Sequence, residues 1–128
     1  MKVAVGRARY ALALAGAGLA VFLGLAGSPH AASAGQSNYC YNQTLGGYVK
    51  CVGAQRTLNA VFGQGAQHSV CVWASTTSDG NWVVNGTRCS AGGGQGIYHP
   101  IGANAPFYPV IQNNAAGSNT VQGVAFTP

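Results

Sequence analysis

Cys40, Cys51, Cys71 and Cys89 constrain the fold more tightly than any other feature of this 128-residue chain. Four thiols in a small exported protein read as two disulfides, and the first third of the sequence carries the export signal. Lys2, Arg7 and Arg9 form a basic start, Ala11 to Ala26 is an unbroken apolar run, and Pro29 stops the helix before Ala32-Ser33-Ala34. That order is a secretory signal peptide over residues 1–34, with cleavage expected before Gly35. A membrane anchor would need roughly 20 apolar residues and no cleavage site behind them. Residues 35–128 are then a single mature domain.

Zinc is the other common use of four thiols, but structural zinc sites favour closely spaced C-x-x-C pairs, and separations of 11 and 18 residues do not supply them. The spacing instead fits bridges across hairpins. Ser78-Asp79-Gly80-Asn81 is a turn cluster between Val70-Cys71-Val72-Trp73 and Trp82-Val83-Val84. With Asp79-Gly80-Asn81 as a three-residue loop, Cys71 falls opposite Cys89. The same arithmetic for Cys40 and Cys51 centres a turn on Leu45 and Gly46, with Gly47 available for a strained position. The expected bridges are therefore Cys40–Cys51 and Cys71–Cys89, each contributing about 3 kcal/mol by restricting the unfolded chain.

After signal removal the only charges are Lys50, Arg56, Arg88 and Asp79, so the net charge of the mature part falls to 3 − 1 = +2. Three scattered cations do not make the basic stripe that nucleic acid requires, nor a patch for anionic lipid. No nucleic-acid partner, and no membrane association after signal cleavage, is expected.

The mature sequence lacks a sustained helical period, and Gly, Asn, Ser and Thr punctuate short β-branched and aromatic runs. The expected class is all-β, a small antiparallel sandwich or Greek-key barrel. Candidate strands are 38–42, 48–52, 57–62, 69–77, 82–85, 87–90, 96–98, 108–112 and 120–126. Ala91 to Gly96 reads as a mobile connection, having no following Lys or helix to make it a phosphate loop. His99 to Pro109, with Pro100, Pro106 and Pro109, reads as irregular, with Pro109 at a sheet edge at best.

Catalytic groups are scarce. Glycoside hydrolysis uses two carboxylates, and one remains, expected in a turn. Asp79 with His68 or His99 and a serine could form a triad on paper, but no nucleophile elbow supports it. Two histidines without further carboxylates make no metal centre. The protein is expected to be no enzyme and to hold no cofactor. Asn42-Gln43-Thr44 and Asn85-Gly86-Thr87 match the glycosylation pattern, which in a bacterial exporter is accidental.

What remains is a neutral surface: nine Asn, eight Gln, no Glu and ten aromatics in the mature part. Sheet edges without charges are unguarded against pairing, and interface cores are poor in Lys, Glu and Asp while rich in Tyr, Trp and Arg. An extracellular protein partner is the first expectation. The candidate contact residues are Phe107 and Tyr108, held between prolines, with Tyr98, Trp82 and Arg88. A carbohydrate or cell-wall ligand stacked on Trp82, Tyr98 or Tyr108 is the second. A protease inhibitor presenting Lys50 or Arg88 beside a disulfide is the third.

The whole layout, an Ala/Gly-rich signal followed by a two-disulfide all-β chain of about ninety residues, resembles small secreted proteins of actinobacteria. That group includes protease inhibitors, chromophore carriers, small antimicrobial proteins and the adaptor subunits of secreted, lectin-bearing umbrella toxin particles. The resemblance implies a binding or assembly role outside the cell.

Overall fold

The structure, a computed structural model, describes residues 35–128, and the expected signal peptide lies outside the described residues. The described chain is all-β, with seven strands: β1 (Gln36–Leu45), β2 (Lys50–Val52), β3 (Arg56–Gly65), β4 (Val70–Ser75), β5 (Val83–Cys89), β6 (Gly96–Asn113) and β7 (Asn119–Phe126). All pairings are antiparallel. They run β1-β7-β3-β6-β4-β5, with β2 added to β6.

Strand β6 turns this path into two layers. Its first part, to Phe107, pairs with β3, and from Tyr108 onward it pairs with β4, while Val110 to Gln112 also pair with β2. Ile101 to Asn104 bulge out opposite Asn59 before the change of partner, with Gly102 at φ +80°. Bulges bend and twist a strand, so one strand serves both sheets. The first sheet is β1-β7-β3-β6, and the second is β2-β6-β4-β5.

The layers meet over Leu58, Val61, Val72, Ile111 and Val121, all at most 1% exposed. Glycines set how closely they approach. A Cβ on Gly63 would overlap Val72 and come within 2.8 Å of Ile111, and one on its neighbour Gly123 would strike the Tyr39 ring. That ring crosses the core, and its hydroxyl donates to the Val110 carbonyl at 3.3 Å. Burial pushes the Tyr39 phenol far above its usual range, against a smaller opposing pull from Arg56.

Both expected disulfides are present, but each is placed by a different geometry from the one the spacing suggests. Cys71 does stand opposite Cys89. The hairpin, however, closes at Thr76 and Trp82, with Thr77 to Asn81 as the loop. The resulting offset is absorbed where Asn85 to Thr87 oppose Trp73 alone, with Asn85 and Gly86 at φ +55° and +84°.

Cys40 and Cys51 do not face each other across a ladder, because β1 pairs with β7 and β2 with β6. Their bridge joins the two sheets. Tyr39 points inward, so alternation alone would turn Cys40 outward. A bulge of Cys40, Tyr41 and Asn42 opposite Gln122, with Cys40 and Asn42 both at φ +51°, redirects it toward Cys51.

Two further expectations are corrected. Pro109 is fully buried in mid-sheet, paired with Ala74, and its carbonyl accepts from Gly53 N–H at 2.8 Å. A strand residue's N and C=O point to the same side, so the missing N–H faces the end of three-residue β2 and no β4 bond is lost. The Gly-rich connection is tied down: Gly94 N–H donates to the Gly65 carbonyl (2.6 Å), and the Gln64 amide donates to the Gly94 carbonyl (2.7 Å).

Candidate binding surface

Strand β4 is buried on both faces. Val70, Val72 and Ala74 enter the main core, while Cys71 and Trp73 face outward into a second small core with Val110 and Val52. The β4–β5 loop covers this outer face by folding back over it. The Trp73 indole N–H donates to the Gly80 carbonyl at 2.8 Å, and Gly80 at φ +76° packs against Val52 and Val110. Asp79 shapes the loop, accepting from the Thr77 hydroxyl (2.5 Å) and Asn81 N–H (2.9 Å). Those bonds, the Thr77 one first, hold its carboxyl below the usual aspartate range.

The folded-back loop brings two distant segments together. The Lys50 ammonium donates to the Asn81 side-chain oxygen. Val49 and Tyr48 precede Lys50, and Trp82 and Val83 follow Asn81. Two apolar pairs therefore flank one polar bridge. Trp82 is 69% exposed, Tyr48 60%, Val49 50% and Val83 46%. Tyr41, on the β1 bulge, completes the large exposed hydrophobic side chains among the described residues.

Tyr48 also has φ +56°. A bulky residue in the left-handed region is an outlier that costs about 1–2 kcal/mol. It sits in a turn closed by Val49 N–H to the Gly46 carbonyl at 3.2 Å. The neighbouring Gly47, expected to take a strained position, is required there for space instead: a Cβ would lie 2.6 Å from the Ala116 carbonyl oxygen. The positive φ thus falls on an aromatic residue, which no sequence signal announced.

The five residues expected to form the contact surface are dispersed. Trp82 and Arg88 are exposed, on β5 and its approach. Tyr108 is half-buried on the outer face of the second sheet, opposite Ser75. Tyr98 is half-buried on the outer face of the first sheet, edge-on to Phe126 with ring centres 5.4 Å apart. Phe107 is not at the surface: it is 7% exposed within the main core. Alternation with Ala105 and Ile111 puts it on the inner face, and the flanking prolines shape a strand rather than a presenting loop.

The titratable groups that might have formed a triad are held apart. His68 lies in the β3–β4 connection and Asp79 in the β4–β5 loop, at opposite ends of β4. His99 is buried, with Nε2 at 2.9 Å from the Gly86 carbonyl and Nδ1 without a hydrogen-bond partner. Among the described residues no cluster of three or more His, Cys, Asp or Glu comes together to hold a metal.

Sequence reasoning also missed a buried amide pair that fixes one end of the sandwich. The Asn113 amide donates to the carbonyls of Gly46 (2.9 Å) and Gly117 (2.6 Å) and accepts from Asn119 (3.3 Å). Asn119 donates to the His68 carbonyl (2.9 Å) and accepts from Gln67 and His68 N–H (3.0 and 3.1 Å). Three connections are locked by two side chains, which anchors the turn that displays Tyr48. No protein-family model matches the chain, and neither a curated protein nor a solved structure is detectably similar to it.

Proposed function

We propose that residues 35–128 act as a secreted, non-catalytic module that binds another protein in an extracellular assembly, with Trp82 and Tyr48 as its anchors. One observation carries this reading: a strained, solvent-exposed Tyr48 and an even more exposed Trp82 stand on two segments joined by the Lys50–Asn81 hydrogen bond. Strain of this kind collects at functional sites, and neither ring's exposed area contributes to the core. Aromatic residues lead the side chains that dominate interface energetics, particularly where charges are sparse. The two disulfides support export, since they persist in oxidising compartments.

The layout shared with secreted actinobacterial proteins supports an adaptor role, such as that of umbrella-particle adaptors in interbacterial competition. Affinity capture by the mature protein from the producer's culture supernatant tests the proposal. A stoichiometric protein partner that is retained by the native protein and lost with Trp82→Ala is the expected result. Retention undiminished by Trp82→Ala and Tyr48→Gly, or turnover of a substrate by the purified protein, would contradict it.

A further inference from the structure

The two disulfides stand in unlike places. Cys40–Cys51 joins the two sheets, and both residues are half-buried against the main core. Cys71–Cys89 lies on the outer face of the second sheet and ties its last strand, β5, to β4. Cys71 is buried, but Cys89 is exposed, as are Thr87 and Arg88 before it.

That asymmetry decides which sulfur an outside thiol reaches. A thiolate attacks a disulfide sulfur from the side opposite the sulfur it expels, and access selects between the two. At Cys89 that side lies beyond β5, where no further strand is paired among the described residues. At Cys71 the approach crosses the small core that this residue shares with Trp73 and Val110.

The seat of β5 does not depend on the bridge. Ser90 N–H donates to the Val70 carbonyl (2.8 Å), and the Ser90 hydroxyl accepts from Val70 N–H (3.0 Å). Val72 is paired with Arg88, and farther along the Asn85 amide donates to the Ile101 carbonyl. These bonds keep Cys71 opposite Cys89 when the sulfurs part, ready to close again.

We propose that Cys71–Cys89 is a reversible thiol–disulfide exchange site, opened at the Cys89 sulfur by an external dithiol while Cys40–Cys51 stays closed. One thiolate of the dithiol bonds to the Cys89 sulfur as the Cys71–Cys89 bond breaks, and Cys71 leaves as a thiolate that takes up a proton. The second thiol then attacks the sulfur of the first, expelling Cys89, which is protonated in turn. Two electrons and two protons pass to the protein, and the dithiol becomes a disulfide. Exposed bridges belong to the labile class, whereas enclosed structural ones resist reduction. The site uses neither Trp82 nor Tyr48, so it stands apart from the partner-binding surface.

Titration of the mature protein with dithiothreitol, followed by alkylation and peptide mapping, tests this. Cys71 and Cys89 should be alkylated at a concentration about tenfold below the one that opens Cys40–Cys51. Protein opened at this bridge alone should still melt cooperatively, and removal of the reductant should restore the same pairing. With the monothiol glutathione, the first mixed disulfide should form on Cys89, leaving Cys71 free for alkylation. Equal opening of both bridges, earlier opening of Cys40–Cys51, or no opening of either until the fold is lost would overturn the proposal. A first glutathione adduct on Cys71 would overturn the point of attack.

Discussion

The two outer sheet faces carry similar residues and are finished in opposite ways. On the second sheet, Trp73 and Val110 are sealed by the protein's own β4–β5 loop, down to a hydrogen bond from the indole to Gly80. On the first sheet, Phe62, Tyr98 and Val124 form a half-buried row. The difference lies in the connections. The loop after β4 is free to fold back across its sheet, while the three connections at the amide-locked end are held there by Asn113 and Asn119. The loop that seals the second sheet ends by displaying Trp82, 69% exposed.

The largest expected effect tests the covered face. Trp73→Ala should cost about 3–5 kcal/mol, measured by thermal or urea unfolding, because it empties the space beneath the loop. Tyr98→Ala on the half-buried outer row of the first sheet should cost only about 1 kcal/mol, the scale of one aromatic pair. Equal losses would erase the distinction between a sealed core and a half-buried outer row.

Next in size is Asn113→Ala, expected to cost about 2–3 kcal/mol in the same measurement, since it leaves buried carbonyls without donors. Tyr48→Gly should be smaller and of opposite tendency. Relief of the left-handed strain is offset by the freer unfolded chain, leaving stability unchanged or raised by up to about 1 kcal/mol. Partner capture should nevertheless fall, which would separate binding from folding at this residue.

The smallest effect is electrostatic. Asp79 has its carboxyl held below the usual range in the folded state, so the unfolded chain takes up the proton more readily. Its contribution is complete above about pH 4, the ordinary aspartate value, and is lost as pH falls through the lower folded value. Urea unfolding of the native protein and Asp79→Asn should differ near pH 7 and converge in acid.

The all-β class and both disulfides were legible because cysteine count and turn chemistry are local signals. The β4–β5 hairpin shows the limit of such reasoning. Cys71 does face Cys89, but only because the bulge at Asn85 and Gly86 cancels a longer loop, and a residue sum cannot detect two compensating shifts. The spacing of Cys40 and Cys51 suggests a hairpin that never forms a ladder, since β7, more than seventy residues away, takes the place beside β1. Strand β6 looks in the sequence like two short strands around a proline segment because proline spacing does not disclose which side of a strand still needs donors. Trp82 was recognisable as a surface aromatic. Tyr48 was not, because its exposure depends on Gly47 fitting against a loop far along the chain.

Hydrogen exchange across the protein, alone and in complex with the captured partner, tests the central claim most directly. Slowed exchange confined to residues 47–50 and 80–84 is expected, with residues 60–64 and 96–100 unchanged. Protection of the Phe62 and Tyr98 strands by the protein partner, with none around Tyr48 and Trp82, would contradict it.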